Sequence, residues 1–386
     1  MKKTVYTVLM LLVFIMQTNA QGKPRARDLG VPFDGVTGQS NAITDVKSVE
    51  VGYTTLISGG SKNAVRTGVT AILPKGKNYA AALFGGWFTL NGNGEMTGTT
   101  WLEESGAFGG PVMITNTHSV GIVRDAVIEW GTKRSTKTGY SGDFSLPIVA
   151  ETWDGFLNDI NGFHVKKEHV FQALDSAKTG AIAEGNVGGG TGMVAHGFKG
   201  GTGTSSRILT KENGGYTVGV LVQANYGSRR LMKIAGVPVG KEITDLMPAE
   251  GKADTDTGSI IVIIATDAPL LPHQLKRIAT RASLGIGLMG GIGGNSSGDI
   301  FMAFSTANGT EASKESSLAN VLMLPNEMIN PLFEATVQAT EEAIVNALVA
   351  AETMTGYKGN TIYALPHDRL KTILKKYNRL ADSKVK

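Results

Sequence analysis

The sequence predicts a layered α/β protein with helices outside and β-sheets within. Residues 260–265 form an unbroken apolar run of isoleucine, valine and alanine, which is the pattern of a strand buried on both faces. Signals for helix starts follow at Pro272 and at Asn330-Pro331. Buried strands interleaved with helices fit a layered architecture. We find no internal repeat and no sign of a second independent domain.

The strands are predicted from short β-branched strings that are separated by glycine-rich turns. They cover Ser48–Thr54, Ala64–Leu73, Val218–Gln223 and Ile260–Ala265. The polar segment from Pro248 to Thr257 has almost nothing to bury and is therefore predicted to be an exposed loop.

Two helices are predicted in the last third of the chain. The helix that opens at Pro272 is expected to turn Leu275, Ile278, Ala279 and Ala282 inward. The helix that opens at Asn330-Pro331 is expected to carry Phe333, Val337, Ile344 and Leu348 on one apolar stripe and to stop at Gly356.

The first 20 residues have the pattern of a secretory signal peptide. A basic start at Lys2 and Lys3 precedes an apolar stretch from Val8 to Met16, and the segment ends at Ala20. The apolar stretch is too short for a membrane anchor. We therefore expect a soluble, exported and periplasmic protein, with no membrane association after the signal is removed.

Composition excludes several classes of function. The chain has no cysteine, which removes thiol nucleophiles, thiolate zinc sites and disulfides. The net charge is +4, and it falls to +2 without the two lysines of the signal, which is too weak for a nucleic-acid-binding surface. The six histidines form no zinc-binding pattern, so we predict neither a metal nor a cofactor.

The boundary between the exposed loop and the buried strand is chemically suggestive. If the bond between Gly258 and Ser259 is broken, Ser259 gains a free α-amine, whose reference pKa of about 7.7–8.0 suits a base near neutral pH. One residue then supplies both nucleophile and base. Gly258 would allow the unusual dihedral angles that bring the hydroxyl onto the preceding carbonyl. Gly-Ser pairs are common, however, and spacing alone favours the simpler interpretation that Ser259 caps a strand after a turn.

Longer motifs identify the chain with a known family. The strings "GVTGQSNAITDVKSVEVGYTT" (35–55), "ETWDGFLNDING" (151–162), "GNVGGGTGMVAHGFKGGTGTSSR" (185–207), "LVQANYG" (221–227), "GSIIVIIATDAPLLPHQL" (258–275) and "NSSGDIFMAFSTAN" (295–308) resemble the L-aminopeptidase/D-esterase and β-peptidyl aminopeptidase family. The resemblance runs from about Arg25 to the C-terminal helix. It implies a four-layer α/β/β/α sandwich, similar to N-terminal-nucleophile hydrolases but differently connected.

The resemblance also implies self-cleavage into two subunits of one catalytic domain. The large subunit would comprise residues 21–258 and the small subunit residues 259–386, after removal of residues 1–20. It further implies a tetramer of processed heterodimers.

Site residues follow from the same resemblance, position by position. Ser259 matches the nucleophile, and Ser297 and Asp299 match a hydroxyl and a carboxylate that orient and tune it. Asn225 matches the amide that stabilises the oxyanion, for which a neutral N–H donor is suited. Some relatives carry glutamate at the position of Asp299, whose shorter side chain predicts a longer or water-bridged contact.

Two further residues match the substrate-binding positions of the family. Glu151 corresponds to the acid that anchors the free amine of the substrate, and Trp153 to an aromatic residue beside the nucleophile. The implied substrates are short peptides, amides or esters with a free N-terminal amine.

Several other interpretations compete with this one. The string "GNVGGGTGM" lacks the context of a dinucleotide or phosphate loop, so we interpret it as a tight-packing loop beside the substrate cleft. A penicillin-recognising enzyme needs Ser-x-x-Lys at a buried helix start, but the only match is Ser383–Lys386 in the tail.

Two alternatives remain open at this point. One is an unprocessed exported hydrolase with a Ser-His-Asp triad that uses His196 or His367. The other is a non-catalytic, glycine-rich exported binding protein. Each predicts one intact polypeptide instead of two fragments.

Overall fold

The computed structural model describes residues 23–78, 81–134, 144–248, 258–309 and 318–381. The predicted signal peptide and most of the loop before Gly258 lie outside these residues, and so does the Ser383–Lys386 match.

Two β-sheets form the centre of the molecule. The first has the strand order β1-β2-β5-β6, in which only β5 and β6 are parallel neighbours. Its strands are β1 (Glu50–Ser58), β2 (Val65–Leu73), β5 (Val112–Asn116) and β6 (Ile148–Thr152).

The second sheet has six strands in the order β4-β3-β12-β11-β10-β9. They are β3 (Leu83–Thr89), β4 (Ala107–Phe108), β9 (Gly201–Ile208), β10 (Thr217–Asn225), β11 (Ser259–Thr266) and β12 (Ile300–Gly309). The central neighbours β11 and β12 are parallel, and all other neighbours are antiparallel. Two small hairpins complete the strands: β7 (Val194–Ala195) with β8 (Phe198–Lys199), and β13 (Met354–Thr355) with β14 (Thr361–Ile362).

Helices cover the outer face of each sheet. The helices are α1 (Thr99–Ser105), α2 (Val120–Arg134), α3 (Lys167–Asp175), α4 (Val239–Glu242), α5 (Pro272–Leu288), α6 (Asn330–Ala350) and α7 (His367–Lys376). Helices α2 and α3 pack on the first sheet, and α5 and α6 pack on the second. The order of layers is therefore α/β/β/α, as the family resemblance implied. No helix of the described residues is both long and apolar enough to cross a bilayer.

The alternating side chains of β11 explain its uniformly apolar sequence. Ile261, Ile263 and Ala265 belong to the core between the two sheets, together with residues of β2, β5 and β12. Ile260, Val262 and Ile264 face the other way and belong to the core beneath α5 and α6. All six side chains are fully buried. The prediction of a strand buried on both faces is confirmed.

The predictions for α6 were only partly correct. Phe333 and Val337 are half-buried instead of facing the sheet, and the buried face runs through Ala335, Ala339 and Ala343. The helix lies so close to β9 that a β-carbon at Gly203 would come within 2.0 Å of the Ala343 carbonyl oxygen. Only small residues fit such a contact.

The predicted stop of α6 at Gly356 is wrong. The helix ends at Ala350, because Ala351 is already extended. Gly356 follows β13 in the small hairpin, where a β-carbon would lie 2.0 Å from the carbonyl oxygen of Leu157. Glycine is needed there for close packing and not for ending a helix.

Candidate active site

Strand pairing brings Ser259 and Asn225 together at one edge of the second sheet. Ser259 is the first residue of β11 and Asn225 the last of β10, and the antiparallel register places them directly opposite each other. Both are largely buried, with exposed fractions of 7% and 5%. Two residues that are 34 positions apart in the sequence thus become neighbours through β-sheet pairing alone.

The parallel pairing of β11 and β12 brings the "NSSGD" segment to the same edge. Because parallel strands start at the same edge of a sheet, the residues just before β12 lie beside the start of β11. The backbone N–H of Gly298 donates a hydrogen bond of 3.0 Å to Ser259 Oγ. This contact fixes the position of the hydroxyl.

Asp299 is the centre of a buried hydrogen-bond network. Its Oδ1 accepts the Ser297 hydroxyl at 2.5 Å and the Ile260 N–H at 3.1 Å. Asn91 makes two hydrogen bonds to the same residue. Its Oδ1 accepts the Asp299 N–H at 2.6 Å, and its Nδ2 donates to Asp299 Oδ2 at 3.3 Å. Ser297 and Asp299 thus hold the backbone that follows Ser259, at the residue next to the candidate nucleophile.

The carboxamide of Asn225 is oriented by two backbone groups. The Val194 N–H donates to Oδ1 at 2.8 Å, and Nδ2 donates to the Trp153 carbonyl at 3.0 Å. Since an amide nitrogen carries two hydrogens, one N–H is used by Trp153 and a second can point elsewhere. Asn225 also lines the cleft described below. This arrangement can present an N–H donor to a developing oxyanion.

Glu151 lies at the end of β6, on the sheet opposite β11. Its carboxylate accepts the Glu95 N–H at Oε1 (2.9 Å) and a short hydrogen bond from the Thr117 hydroxyl at Oε2. Burial raises the pKa of the Glu151 carboxyl above its usual range, although the bonds from Thr117 and Glu95 oppose that shift. The carboxylate lies close to Gly94, where a β-carbon would be 3.3 Å from Glu151 Oε1 and 3.1 Å from Gly298 Cα.

A cleft of about 490 Å³ adjoins this cluster. Its walls include Trp153, Phe156, Val194, Asn225 and Gly258. The Trp153 ring is 43% exposed and lies over Gly155, where a β-carbon would come within 2.5 Å of it. Apart from the amide of Asn225, these side chains are aromatic or aliphatic, so the cleft suits a partly apolar group of a ligand.

The glycine-rich segment forms a buried helical turn at Gly188–Gly192, which adjoins the cleft through Gly192. A β-carbon at Gly189 would lie 2.2 Å from Gln223 Oε1, and one at Gly190 would lie 2.3 Å from the Thr202 nitrogen. A β-carbon at Gly189 would also lie 2.9 Å from the carbonyl oxygen of Ile114 in β5, so the turn lies between strands of the two sheets, in agreement with the interpretation as a tight-packing loop.

Close packing gives a reason for glycine at position 258 in addition to the unusual dihedral angles predicted from the sequence. A β-carbon there would lie 1.7 Å from the Asn225 carbonyl oxygen and 3.0 Å from Tyr226 Cα. Since these are backbone atoms of the neighbouring strand, only glycine permits their close approach.

The histidines proposed for a triad have other partners. His196 Nδ1 lies 3.2 Å from the Ser228 carbonyl oxygen, and His367 Nε2 lies 2.9 Å from that of Val349. In the part of the chain that the structure describes, neither imidazole hydrogen-bonds to Ser259. Within the same residues, no three acidic or histidine side chains form a group that could hold a metal ion.

Sequence reasoning found six residues that the structure brings together or close by, and it missed those that orient them. Asn91 and Thr117 were not singled out, and neither were the backbone N–H groups of Val194 and Gly298. The two side chains lie in segments distant from every quoted motif, and a backbone N–H leaves no trace in residue type. Their part in the site is visible only from the tertiary structure.

Known proteins resemble this chain over most of its length. The model of peptidase family S58 matches residues 41–362. The β-peptidyl aminopeptidases BapA of Sphingosinicella microcystinivorans and Sphingosinicella xenopeptidilytica are 56% identical over 383 residues and 47% identical over 380 residues. These matches cover 95% of this chain in both cases, and 95% and 94% of the two relatives.

A solved structure extends the comparison to the fold. The L-aminopeptidase D-Ala-esterase/amidase from Ochrobactrum anthropi matches with a TM-score of 0.85 at 48% identity, over 93% of this chain and 100% of that chain. It is described as a prototype for the serine aminopeptidases and as a new variant among the Ntn hydrolase fold. The four layers described above are therefore this variant of the fold.

Proposed function

This chain belongs to peptidase family S58 and is a serine aminopeptidase, and we propose that it becomes active by cutting its own backbone between Gly258 and Ser259. One observation carries the proposal. Ser259 begins β11 opposite Asn225, with its hydroxyl held by the Gly298 N–H and with Gly258 on the wall of the cleft. The bond to be cut and the nucleophile that cuts it thus occupy the same site.

In the self-cleavage step, Ser259 Oγ adds to the carbonyl carbon of Gly258 and the bond from that carbon to the Ser259 nitrogen breaks. The hydroxyl proton ends on that nitrogen, which becomes an amine, and Gly258 is left as an ester on Oγ. Water then hydrolyses the ester to a carboxylate and regenerates the hydroxyl. The products are a large subunit that ends at Gly258 and a small subunit that starts at Ser259.

Peptide hydrolysis repeats this chemistry on a substrate. The α-amine of Ser259 takes the hydroxyl proton while Oγ attacks the first carbonyl of the substrate, and it returns the proton to the leaving amine. The second N–H of Asn225 donates to the oxyanion of the tetrahedral intermediate. Water hydrolyses the resulting acyl-enzyme and releases the N-terminal residue.

The remaining residues position these groups. Asp299 accepts the Ile260 N–H and the Ser297 hydroxyl, so it keeps the start of β11 in place once the chain is cut. Glu151 offers a carboxylate to the protonated amine of the substrate, and Trp153 bounds the space that the N-terminal residue occupies. The substrate therefore needs a free N-terminal amine.

The preferred substrates are peptides whose first residue is a β-amino acid. The two named relatives at 56% and 47% identity are β-peptidyl aminopeptidases, which supports this class over others. L-α-amino amides and D-amino esters are the competing classes, because the Ochrobactrum enzyme is named for them. A panel of anilides with β, L-α and D-α residues tests the assignment, and faster turnover of the L-α members would overturn it.

Export and assembly extend the proposal. Cleavage after Ala20 would deliver the protein to the periplasm, so the mature large subunit should begin at Gln21. Leu284, Leu288 and Ile292 leave an apolar surface exposed at the end of α5, where subunits of a tetramer of processed heterodimers could meet. N-terminal sequencing should show a large subunit that begins at Gln21, and light scattering should give the mass of four processed heterodimers. An intact N-terminus or the mass of one heterodimer would contradict the proposal.

The decisive experiment is the Ser259→Ala variant. The parent protein should give two fragments, of about 24–26 kDa and about 13–14 kDa by simple proportion of chain length, and the smaller should begin with Ser-Ile-Ile-Val. Ser259→Ala should remain one intact and inactive chain. Ser296→Ala is the matched control, because that serine is exposed and its own hydroxyl holds none of the groups above. Normal cleavage of Ser259→Ala would refute the proposal.

A further inference from the structure

Lys199 is an unusual buried cation next to the cleft. It is the last residue of β8, and its side chain is completely buried. Its Nζ donates to three backbone carbonyls, those of Met193 and Gly200 at 2.9 Å each and that of Gly190 at 3.4 Å. Among the described ion pairs none involves Lys199.

A buried charge without a carboxylate is energetically unfavourable. Burial lowers the pKa of the Lys199 ammonium to about 7, and the charge of Lys23 adds to that shift. An uncharged side chain of similar volume would fill the same space at lower cost. Packing alone therefore gives no reason for a lysine here.

The carbonyl of Met193 connects Lys199 to the active site. It belongs to the same planar peptide unit as the N–H of Val194, and that N–H donates to Asn225 Oδ1 at 2.8 Å. The Met193 carbonyl also accepts the Gly200 N–H at 3.0 Å, so the peptide unit is fixed from two directions. A single rigid plane thus lies between the Lys199 ammonium and the candidate oxyanion-binding amide.

The contacts from Lys199 through the peptide unit to Asn225 all shift electron density in the same direction. A cation at a carbonyl oxygen makes the N–H of the same peptide unit a stronger donor, and in a low-dielectric interior such bonds strengthen one another. The stronger donor at Asn225 Oδ1 draws electron density from the carboxamide and makes its remaining N–H more acidic. That N–H is the one the oxyanion would accept.

We propose that Lys199 is a positioning residue that orients and polarises Asn225 through the peptide unit between Met193 and Val194. The inference rests on the proposed function, in which Asn225 stabilises the oxyanion. Lys199 touches neither substrate nor reacting atoms, and its effect on catalysis passes through Asn225.

A double-mutant cycle tests this role. Asn225→Ala should lower kcat by about 10²–10³-fold, and Lys199→Met should lower it by about 10²-fold, as expected for a misplaced catalytic group. KM should change little in Lys199→Met, since the substrate contacts remain. When Asn225 is already alanine, Lys199→Met should cost at most about 3-fold more, because the two residues act as one unit. If the variants accumulate as uncut precursor, the same cycle can be measured on the rate of self-cleavage instead of on kcat.

Two further variants separate positioning from general damage. Lys199→Gln keeps N–H donors for the carbonyls and should recover part of the lost kcat if it folds, as checked by thermal unfolding. Lys276→Met is the control for the loss of a lysine, because Lys276 is exposed on α5 and pairs with Glu103 at 2.7 Å instead of with any group around Asn225. It should retain parental kcat.

The outcomes are distinguishable. If Asn225→Ala has parental activity, the oxyanion role in the proposed function fails. If Asn225→Ala is impaired but the two losses multiply in the double variant, or if Lys199→Met raises KM and leaves kcat intact, only the role of Lys199 is refuted.

Discussion

At the scale of single residues, burial determines the chemistry of the acidic side chains around the cleft. Glu151 and Asp154 are separated by two positions, and both have a raised pKa because they are withdrawn from water. Glu151 accepts hydrogen bonds from Thr117 and Glu95, whereas Asp154 accepts one from the Asn158 amide and its other side-chain neighbours are neutral as well. The two carboxyls should therefore affect different properties, one substrate capture and the other stability.

Glu151 should give the enzyme an acidic limit of activity. In the proposed mechanism the ionised carboxylate binds the substrate amine. Because burial raises the pKa of Glu151, kcat/KM should fall as pH decreases through a value above the ordinary range for glutamate. Glu151→Gln should lose this acidic limb of the pH profile. It should also raise KM by about 10–100-fold, because a charge-assisted contact is lost. Steady-state rates between pH 4 and pH 8 provide the measurement.

Thr117→Val supplies the matched variant for this prediction. Its hydroxyl lowers the pKa of Glu151, so removing it while keeping the carboxylate should move the acidic limb to higher pH. If the acidic limb of the pH profile is unchanged in both variants, another group causes it.

Asp154 should make the protein less stable at higher pH. Burial raises its pKa to about 7, against about 3.9 in an unfolded chain. Below the pKa of the unfolded chain, Asp154 is protonated in both states and the free energy of unfolding has its full value. As pH rises to about 7, the unfolded chain ionises first and the free energy of unfolding falls. Between pH 5 and pH 8 the loss amounts to about 3 kcal/mol.

Asp154→Asn should abolish that pH dependence and be the more stable protein at pH 8. Asp154 Oδ2 and Asn116 Oδ1 are both buried acceptors without a hydrogen-bond partner, and an asparagine N–H could serve one of them. Denaturant unfolding at the two pH values measures the difference, with the exposed Asp125→Asn as control. An equal pH dependence in parent and Asp154→Asn would contradict this account.

The sequence drew attention to the candidate site residues more readily than to the residues that contact them. Ser259 stands out at the border of a polar loop and a buried strand, and Asn225 lies within a string that the family shares. Asn91 and Lys199 gain their meaning from contacts with Asp299 and with the Met193 carbonyl, which no local pattern predicts. The roles assigned to the site residues remain predictions.

At the scale of secondary-structure elements, apolar patterns located strands more reliably than helix faces. The run over 260–265 corresponds to β11 because both of its faces meet a core. The stripe predicted for α6 was partly wrong, because the sheet beneath that helix presents Gly203 and the close approach selects alanine over larger residues. Hydrophobicity predicts that an element is buried, but the shape of its partner determines which side chains face it.

The pairing of β10 with β11 makes Gly258 sensitive to the smallest substitution. A β-carbon at Gly258 would overlap the Asn225 carbonyl oxygen, so Gly258→Ala should push the start of β11 away and pull Ser259 from the Gly298 N–H. We expect self-cleavage to slow by about 10²-fold, the cost of a displaced nucleophile. Intact-mass measurements over time after expression would follow it.

Gly287→Ala is the control for this substitution, since a β-carbon there meets no atom within 4 Å in α5. Its cleavage should match that of the parent. Equally fast cleavage in Gly258→Ala would show that the close contact does not position the scissile bond.

At the scale of the whole molecule, cleavage would divide a sheet that is shared between the two subunits. Strands β11 and β12 belong to the predicted small subunit, and in the sheet they lie between β3 and β10 of the large subunit. Both faces of β11 are buried in cores that also include large-subunit strands. The layered fold could be predicted from the sequence, whereas the interleaving of the subunits could not, because it depends on long-range strand order.

This topology predicts that the cut protein remains one folding unit. The fragments should elute together in native size-exclusion chromatography and separate only in denaturant, because parting them would expose both faces of β11 and break its pairing with β10. Cleaved protein and uncut Ser259→Ala should each unfold in a single cooperative transition. Release of the small fragment under native conditions, or two separate transitions in the cleaved protein alone, would show that the peptide bond before Ser259, and not the shared core, holds the two halves together.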